Sequence, residues 1–179
     1  MLNNKNFIYI ILFNIFLILI WDLIVVLFCK SINENNFDFH RKMYRTKDWE
    51  KNGLFYVQKF KIKKWKDFLP QYVSRNGFSK KNLDDLSVKY IDMFILETCR
   101  GEWAHRKCML VLIPMLIFNK LSTFLLLFIL VLILNVPYIF IQRYNRIRLL
   151  KIRQKLKIVN ENNSDRIFSI MRKFNAVDS

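Results

Sequence analysis

Cysteine is scarce and odd in number, with only Cys29, Cys99 and Cys108. That excludes a small secreted scaffold held together by paired disulfides. Glycine and proline are as rare, three of each in 179 residues. The sequence has no Gly-rich phosphate loop, no paired-cysteine metal spacing and no internal repeat. Acidic residues are few: 14 Asp and Glu stand against 30 Lys and Arg, a net charge of +16. A disordered basic tail has such a balance but is poor in aromatics, whereas Phe, Trp and Tyr make up 16% of this chain. The length suits a single domain spanning 1–179. Hydrophobic residues reach 53%, and they are bunched rather than spread.

Charge is missing from Asn6 to Trp21, and past Asp22 the apolar run continues to Phe28. At about 1.5 Å per residue, a span over 7–28 crosses a hydrocarbon core of roughly 30 Å. No small-x-small cleavage site follows it, which argues for a retained anchor rather than a signal peptide. Asp22, near the inner end, reaches the interface. A second uncharged run, 121–142, is also long enough. The third, Cys108–Asn119, is interrupted by Pro114 and reaches spanning length only from about 102. The fold class predicted is therefore an all-α integral membrane protein with three spans, 7–28, 102–119 and 121–142.

Lys30–Lys107 contains 18 of the basic residues and Arg143 to the end another 10, against Lys5 and Lys120 alone elsewhere. The positive-inside rule then gives an outside N-terminus, a cytoplasmic middle segment and a cytoplasmic C-terminus in a cell membrane. Every basic cluster sits beside an apolar run, which favours lipid over nucleic acid as the partner. Leu54–Leu69 interleaves lysines with aromatics, and on a helix Ile62, Trp65 and Leu69 share one face. Such a segment either lies in the headgroup layer or packs on a core, and both are compatible. Tyr72–Leu83 reads as a turn region around Gly77. Asp84–Asn119 reads as one helix entering the membrane, and Asn160–Ser164 as a polar break before a peripheral tail over 158–179.

The informative segment is Glu97-Thr98-Cys99-Arg100-Gly101-Glu102-Trp103-Ala104-His105. At 100° per residue, Thr98, Glu102 and His105 fall within about 60° of one another. Glu97 and Arg100, one turn apart, form a pair on the neighbouring face. Gly101 lies between the two groups, where its missing side chain lets another helix or a ligand approach. Polar side chains where a helix meets lipid are costly unless they pair or line a polar cavity. His105 is the natural base for deprotonating a hydroxyl, Glu102 would orient it, and Arg100 would hold an anionic group. Cys99 points away from the Glu102–His105 face. A plain polar girdle is the structural alternative. No cofactor or metal is predicted.

These residues resemble a known family, the glycosyl-4,4'-diaponeurosporenoate acyltransferases. The resemblance rests on Trp65-Lys66-Asp67-Phe68-Leu69-Pro70, Glu97-Thr98-Cys99-Arg100-Gly101-Glu102 with His105, and Phe118-Asn119-Lys120. It continues through Asn135-Val136-Pro137 and Gln142-Arg143-Tyr144-Asn145-Arg146 to Arg148-Leu149, covering about 49–155. Arg106 stands where the family usually has an aromatic, and Ile147 where it has a proline. The resemblance implies a small membrane enzyme that esterifies the glucose 6-hydroxyl of a glycosylated C30 carotenoid with a fatty acid, towards staphyloxanthin-type pigments. Its partners would be that glycolipid acceptor, a fatty acyl donor and membrane lipid. Thr98, Asn135, Gln142, Arg143, Asn145 and Arg146 would contact substrate, the last three residues near a phosphate-bearing donor. The alternative from another class is a non-enzymatic membrane adaptor that binds anionic lipid or partner helices.

The charge distribution makes one topological prediction. An N-terminal tag should be reachable only from outside the cell and a C-terminal tag only from the cytoplasm; both on one side would rule out an odd number of crossings.

Overall fold

The computed structural model describes residues 4–69 and 88–175, whose regular elements are helices with no strand among them. Two long helices dominate, α1 (Asn4–Ser31) and α6 (Leu121–Asn175). Between them lie the short helices α2 (Leu54–Gln58) and α3 (Ile62–Trp65), then α4 (Val88–Cys108) and α5 (Leu112–Phe118). α4 runs antiparallel along α6, and α1 packs against α4. The turn region expected over Tyr72–Leu83 lies outside the described residues.

Two helical stretches, Ile8–Ser31 and Leu121–Val159, are long and apolar enough to cross a membrane. The core helix of a soluble protein would be mostly buried. Here Leu19, Leu126 and Ile133 are each more than 60% exposed, so these surfaces are apolar without being covered by protein. The expected continuous helix through Asn119 is instead broken: α4 stops at Cys108, a 3-10 turn covers Met109–Val111, and α5 follows. The break falls one turn before Pro114, whose ring and missing N–H are incompatible with a regular bond to the Leu110 carbonyl. Pro137 lies inside α6, yet that helix continues. The polar break expected at Asn160–Ser164 is absent, because no glycine or proline follows Pro137 to end the helix.

Along the apolar stretches, Val111, Met115 and Val131 form a small buried cluster with Leu17, Ile18 and Trp21 of α1 against it. The polar groups at this level are paired. Asn14 and Asn119 exchange two amide hydrogen bonds of 2.9 Å each, and their second amide protons go to Ile10 and Met115 carbonyls. Trp21 Nε1 donates to the Lys107 carbonyl at 2.9 Å. Where no water is available, such pairing is what polar side chains require.

At the other end, residues 32–69 wrap α4 and α6. The single amphipathic helix expected over Leu54–Leu69 is split by Lys61, which adopts a left-handed φ of 49°. One set of its apolar members faces inward: Tyr56 and Ile62 are fully buried against Ile141, Tyr144 and Ile147, with Trp65 and Leu69 beside them. Lys59, Lys61, Lys63 and Lys64 stay exposed, together with Trp49, Leu54, Phe60 and Phe68. The chain reverses before α2 through three successive left-handed residues, Lys51, Asn52 and Gly53 (φ 45°, 56° and 92°). A Cβ at Gly53 would meet Ile147 and Tyr144 at ordinary contact distances of 3.5 and 3.7 Å. The cost of Gly53→Ala is therefore backbone strain, about 1–2 kcal/mol. A thermal unfolding midpoint in detergent should fall for Gly53→Ala and stay near wild type for Lys63→Ala on the exposed face.

Candidate active site

The site lies along the seam between α4 and α6. Gly101 sets the approach: a Cβ there would stand 2.8 Å from Gln142 Nε2, so only glycine leaves room for that side chain as placed. The Gln142 Oε1 atom is buried without a hydrogen-bond partner. On one side of this contact α4 and α6 bring their ionic residues together. On the other they bring His105 to Asn135 and Tyr138.

Glu102 is fully buried and takes four N–H donors. Arg106 donates from Nε at 3.0 Å and Nη2 at 2.6 Å, Arg143 from Nη1 at 2.9 Å, and Arg146 from Nη2. Arg143 extends the network to Glu50 with two bonds of 2.8 Å, and its other donors reach the Met43 and Arg45 carbonyls. All five guanidinium N–H groups of Arg143 are thus committed within the protein. Arg146 is 2% exposed and bonds the Tyr44 carbonyl and the Cys99 sulfur as well as Glu102. Both are expected from the sequence to meet the donor's phosphate; Arg143 has no N–H left for an outside anion, and Arg146, bonded on all three nitrogens, is closed off by burial. They fix α6 to the 43–50 loop and to α4.

Glu50 completes the network. It is fully buried and accepts from Tyr56 Oη at 2.6 Å and the Lys47 amide at 2.6 Å, besides Arg143. Burial opposes its ionisation, but the hydrogen bonds from Arg143, Tyr56 and Lys47 outweigh it and hold the carboxyl below the usual range. Sequence reasoning missed Glu50, Tyr56 and Arg106. Glu50 lies 93 residues from Arg143, so no spacing signal connects them.

The remaining candidates are distributed around this network. Arg100 donates to Glu97 at 2.5 Å and reaches exposed Glu34 at 3.4 Å, while its buried Nε has no partner. Thr98 is fully buried and returns its hydroxyl to the Ile95 carbonyl at 2.6 Å. Asn145 is half-buried on α6. Cys99 is also fully buried, and burial pushes its thiol up to about 11, so a thiolate nucleophile is not available at neutral pH. No group of His, Cys, Asp and Glu among the described residues has a metal-binding arrangement.

His105 is half-buried, with Nδ1 3.1 Å from Asn135 Oδ1. Its ring stacks on Tyr138 with centroids 4.6 Å apart and an 11° interplanar angle. Asn135 and Tyr138 are three residues apart on α6 and so share a face. An imidazole held by Asn135 and Tyr138 at an interhelical seam, beside a buried ionic clasp, can serve proton transfer. Together with two membrane-length apolar helices, this arrangement defines a helical membrane protein with a candidate acid–base site.

Comparison with known proteins makes the class specific. The family model for glycosyl-4,4'-diaponeurosporenoate acyltransferase matches residues 40–155. Relatives of that name from Staphylococcus aureus strains MRSA252, bovine RF122 / ET3-1 and USA300 are each 32% identical over 120 residues, covering 64% of this chain and 70% of theirs. No solved structure matches. The chain belongs to the glycosyl-4,4'-diaponeurosporenoate acyltransferase family, the acyltransferases of carotenoid biosynthesis.

The ionic clasp makes a stability prediction. Removing one partner of a buried ion pair strands the other and costs about 3–5 kcal/mol. Glu50→Ala and Arg143→Ala should each lower the unfolding midpoint strongly, and the double substitution should cost less than the sum. Because the folded carboxyl of Glu50 titrates below its unfolded value, its stabilisation is present above the ordinary carboxylate range and lost as pH falls through the depressed value. The acid-side loss of stability should therefore shrink in Glu50→Gln, read from unfolding midpoints across a pH series.

Proposed function

We propose that the protein esterifies a sugar hydroxyl of a membrane-embedded glycosyl C30 carotenoid with a fatty acyl group. The observation that carries this reading is His105, held by Asn135 and Tyr138 at the seam of α4 and α6. His105 takes the proton of the attacking hydroxyl as the new ester C–O bond forms. The donor's acyl bond then breaks, and the leaving group takes the proton back from the imidazolium. The Glu97–Arg100 pair either fixes α4 or serves the donor, with Arg100, partly exposed and held by Glu97, meeting the donor's anionic group. Gln142 accepts from a sugar hydroxyl through its unpaired Oε1, and Asn145 lies one turn further along α6. Glu102, Arg143 and Arg146 position the seam, and Thr98 packs it.

The membrane arrangement belongs to the same proposal. The chain crosses three times, the second crossing through the end of α4 and α5. The Asn14–Asn119 pair places the α5–α6 turn about 24 Å along α1 from Lys30, at 1.5 Å per residue, a depth close to a full crossing. The lysines and exposed aromatics of 49–68 then rest on the anionic headgroup layer, where each cation contributes about 1 kcal/mol. Both substrates have apolar tails, so a site at that level meets their polar ends while the tails stay in lipid. A non-enzymatic adaptor would need neither the seam nor the paired His105, and the family membership does not favour it.

Cells that make the glucosyl carotenoid should, on expressing this chain, accumulate acylated product detectable by mass spectrometry. Absence of product with stable protein present would overturn the substrate. His105→Ala should lower turnover about 10²-fold or more; near wild-type turnover in that variant, with loss in Arg100→Ala, would move the chemistry to the other face of α4.

A further inference from the structure

The hydrogen bonds around Asn135 determine which nitrogen of His105 carries the proton. The Asn135 side chain has two different neighbours. Its Nδ2 lies 3.0 Å from the Val131 carbonyl oxygen, and its Oδ1 lies 3.1 Å from His105 Nδ1. A backbone carbonyl only accepts, so the amide end facing Val131 must be the NH2 group. The end facing His105 is then the oxygen, which also only accepts. The His105 nitrogen in this contact must therefore be the donor. In the neutral imidazole the proton sits on Nδ1, and the basic lone pair is on Nε2.

Tyr138 adds a second constraint. A near-parallel ring at 4.6 Å restricts rotation of the imidazole about its own bond. Asn135 and Tyr138 project from one face of α6, while His105 projects from α4. The histidine is thus held by the helix opposite its own, across the contact that Gly101 makes close. Glu102, the partner that the i, i+3 spacing suggested, has its carboxylate engaged by Arg106, Arg143 and Arg146.

We propose that Asn135 and Tyr138 are positioning residues that lock His105 as the Nδ1–H tautomer with Nε2 as its basic atom. The consequence for catalysis rests on the reading of His105 as the base, but the tautomer itself does not. A free imidazole exchanges between both protonation sites and both faces, whereas a general base needs its lone pair on one nitrogen in one direction.

The test uses the full chain in nanodiscs, labelled with 15N-histidine. The protein has only two histidines, His40 and His105, so His105→Ala assigns the spectrum. At alkaline pH, His105 should show a protonated Nδ1 and an unprotonated Nε2. Asn135→Leu should shift it towards the Nε2–H form, and Asn135→Asp, which keeps an acceptor, should retain Nδ1–H. Tyr138→Leu should remove the ring-current displacement of the His105 ring protons, and Tyr138→Phe should retain it. An Nε2–H tautomer in the wild type, or no tautomer change in Asn135→Leu, overturns the proposal. If Asn135→Leu does not fold, the wild-type tautomer and the Tyr138 pair still decide.

Kinetics separate this proposal from the reading it deepens. Asn135→Leu should lower kcat at least about 10-fold, within the range a lost general base allows, with KM little changed. Asn135→Asp should recover part of that loss. A tautomer shift with no change in kcat leaves the lock standing and overturns His105 as the base. A fall in kcat with the tautomer unchanged overturns the lock.

Discussion

The buried carboxylates of Glu50 and Glu102 and the guanidinium of Arg143 between them hold together three parts of the chain that sequence separates widely. Arg143 bonds Glu50 in the 43–50 loop and Glu102 in α4, and Arg146 bonds Glu102 and the Tyr44 carbonyl. A single buried charge would be prohibitively costly, and a buried pair is tolerable only when its remaining hydrogen-bonding capacity is met. Here the donors of Arg143 and both Glu102 oxygens are met by side chains and loop carbonyls. That requirement fixes the loop, because Met43 and Arg45 carbonyls must stand where Arg143 needs acceptors.

From the clasp, the structure divides into two regimes. Towards the tip of the α5–α6 turn, packing is apolar and thin, with one small cluster and large exposed aliphatic surfaces. Between the helices there, the Asn14 and Asn119 side chains satisfy each other. In the other direction fuller cores form around α6, with Tyr56 and Ile62 of the wrapping segment on one side and Ile91, Phe94 and Ile95 of α4 on another. His105 stands at the change between these regimes. An acyl transfer that joins a sugar to a fatty chain needs such a place, polar for the reacting groups and apolar for the tails.

The clasp and the histidine divide the labour along α4. Glu102 and His105 are one turn apart, so rigidity at the first limits the motion of the second. Gly101 beside them keeps α6 close enough for Asn135 and Tyr138 to reach across. Charge is thereby used for position, and Asn135 and Tyr138 reach the titratable group across the seam.

Local sequence alone determined the apolar runs, the helical class and the segment that contains His105. Length, hydropathy and residue spacing act over one helix, so these features are legible without the fold. It also supplied the pairing of Glu97 with Arg100, which needs only one turn. It misjudged elements whose ends depend on single residues: Lys61 splits the amphipathic segment, and Pro114 interrupts the helix before Asn119. Tertiary structure decided which charges are spent inside. Arg143 and Arg146 read in sequence as contacts for a phosphate-bearing donor, because nothing local reveals that Glu50 lies against one of them. It also decided that Asn135 and Tyr138 hold His105. Partners 30 and 33 residues apart meet only when two helices pack antiparallel at a given register, and that register is set by the glycine, the glutamine and the buried ions between them.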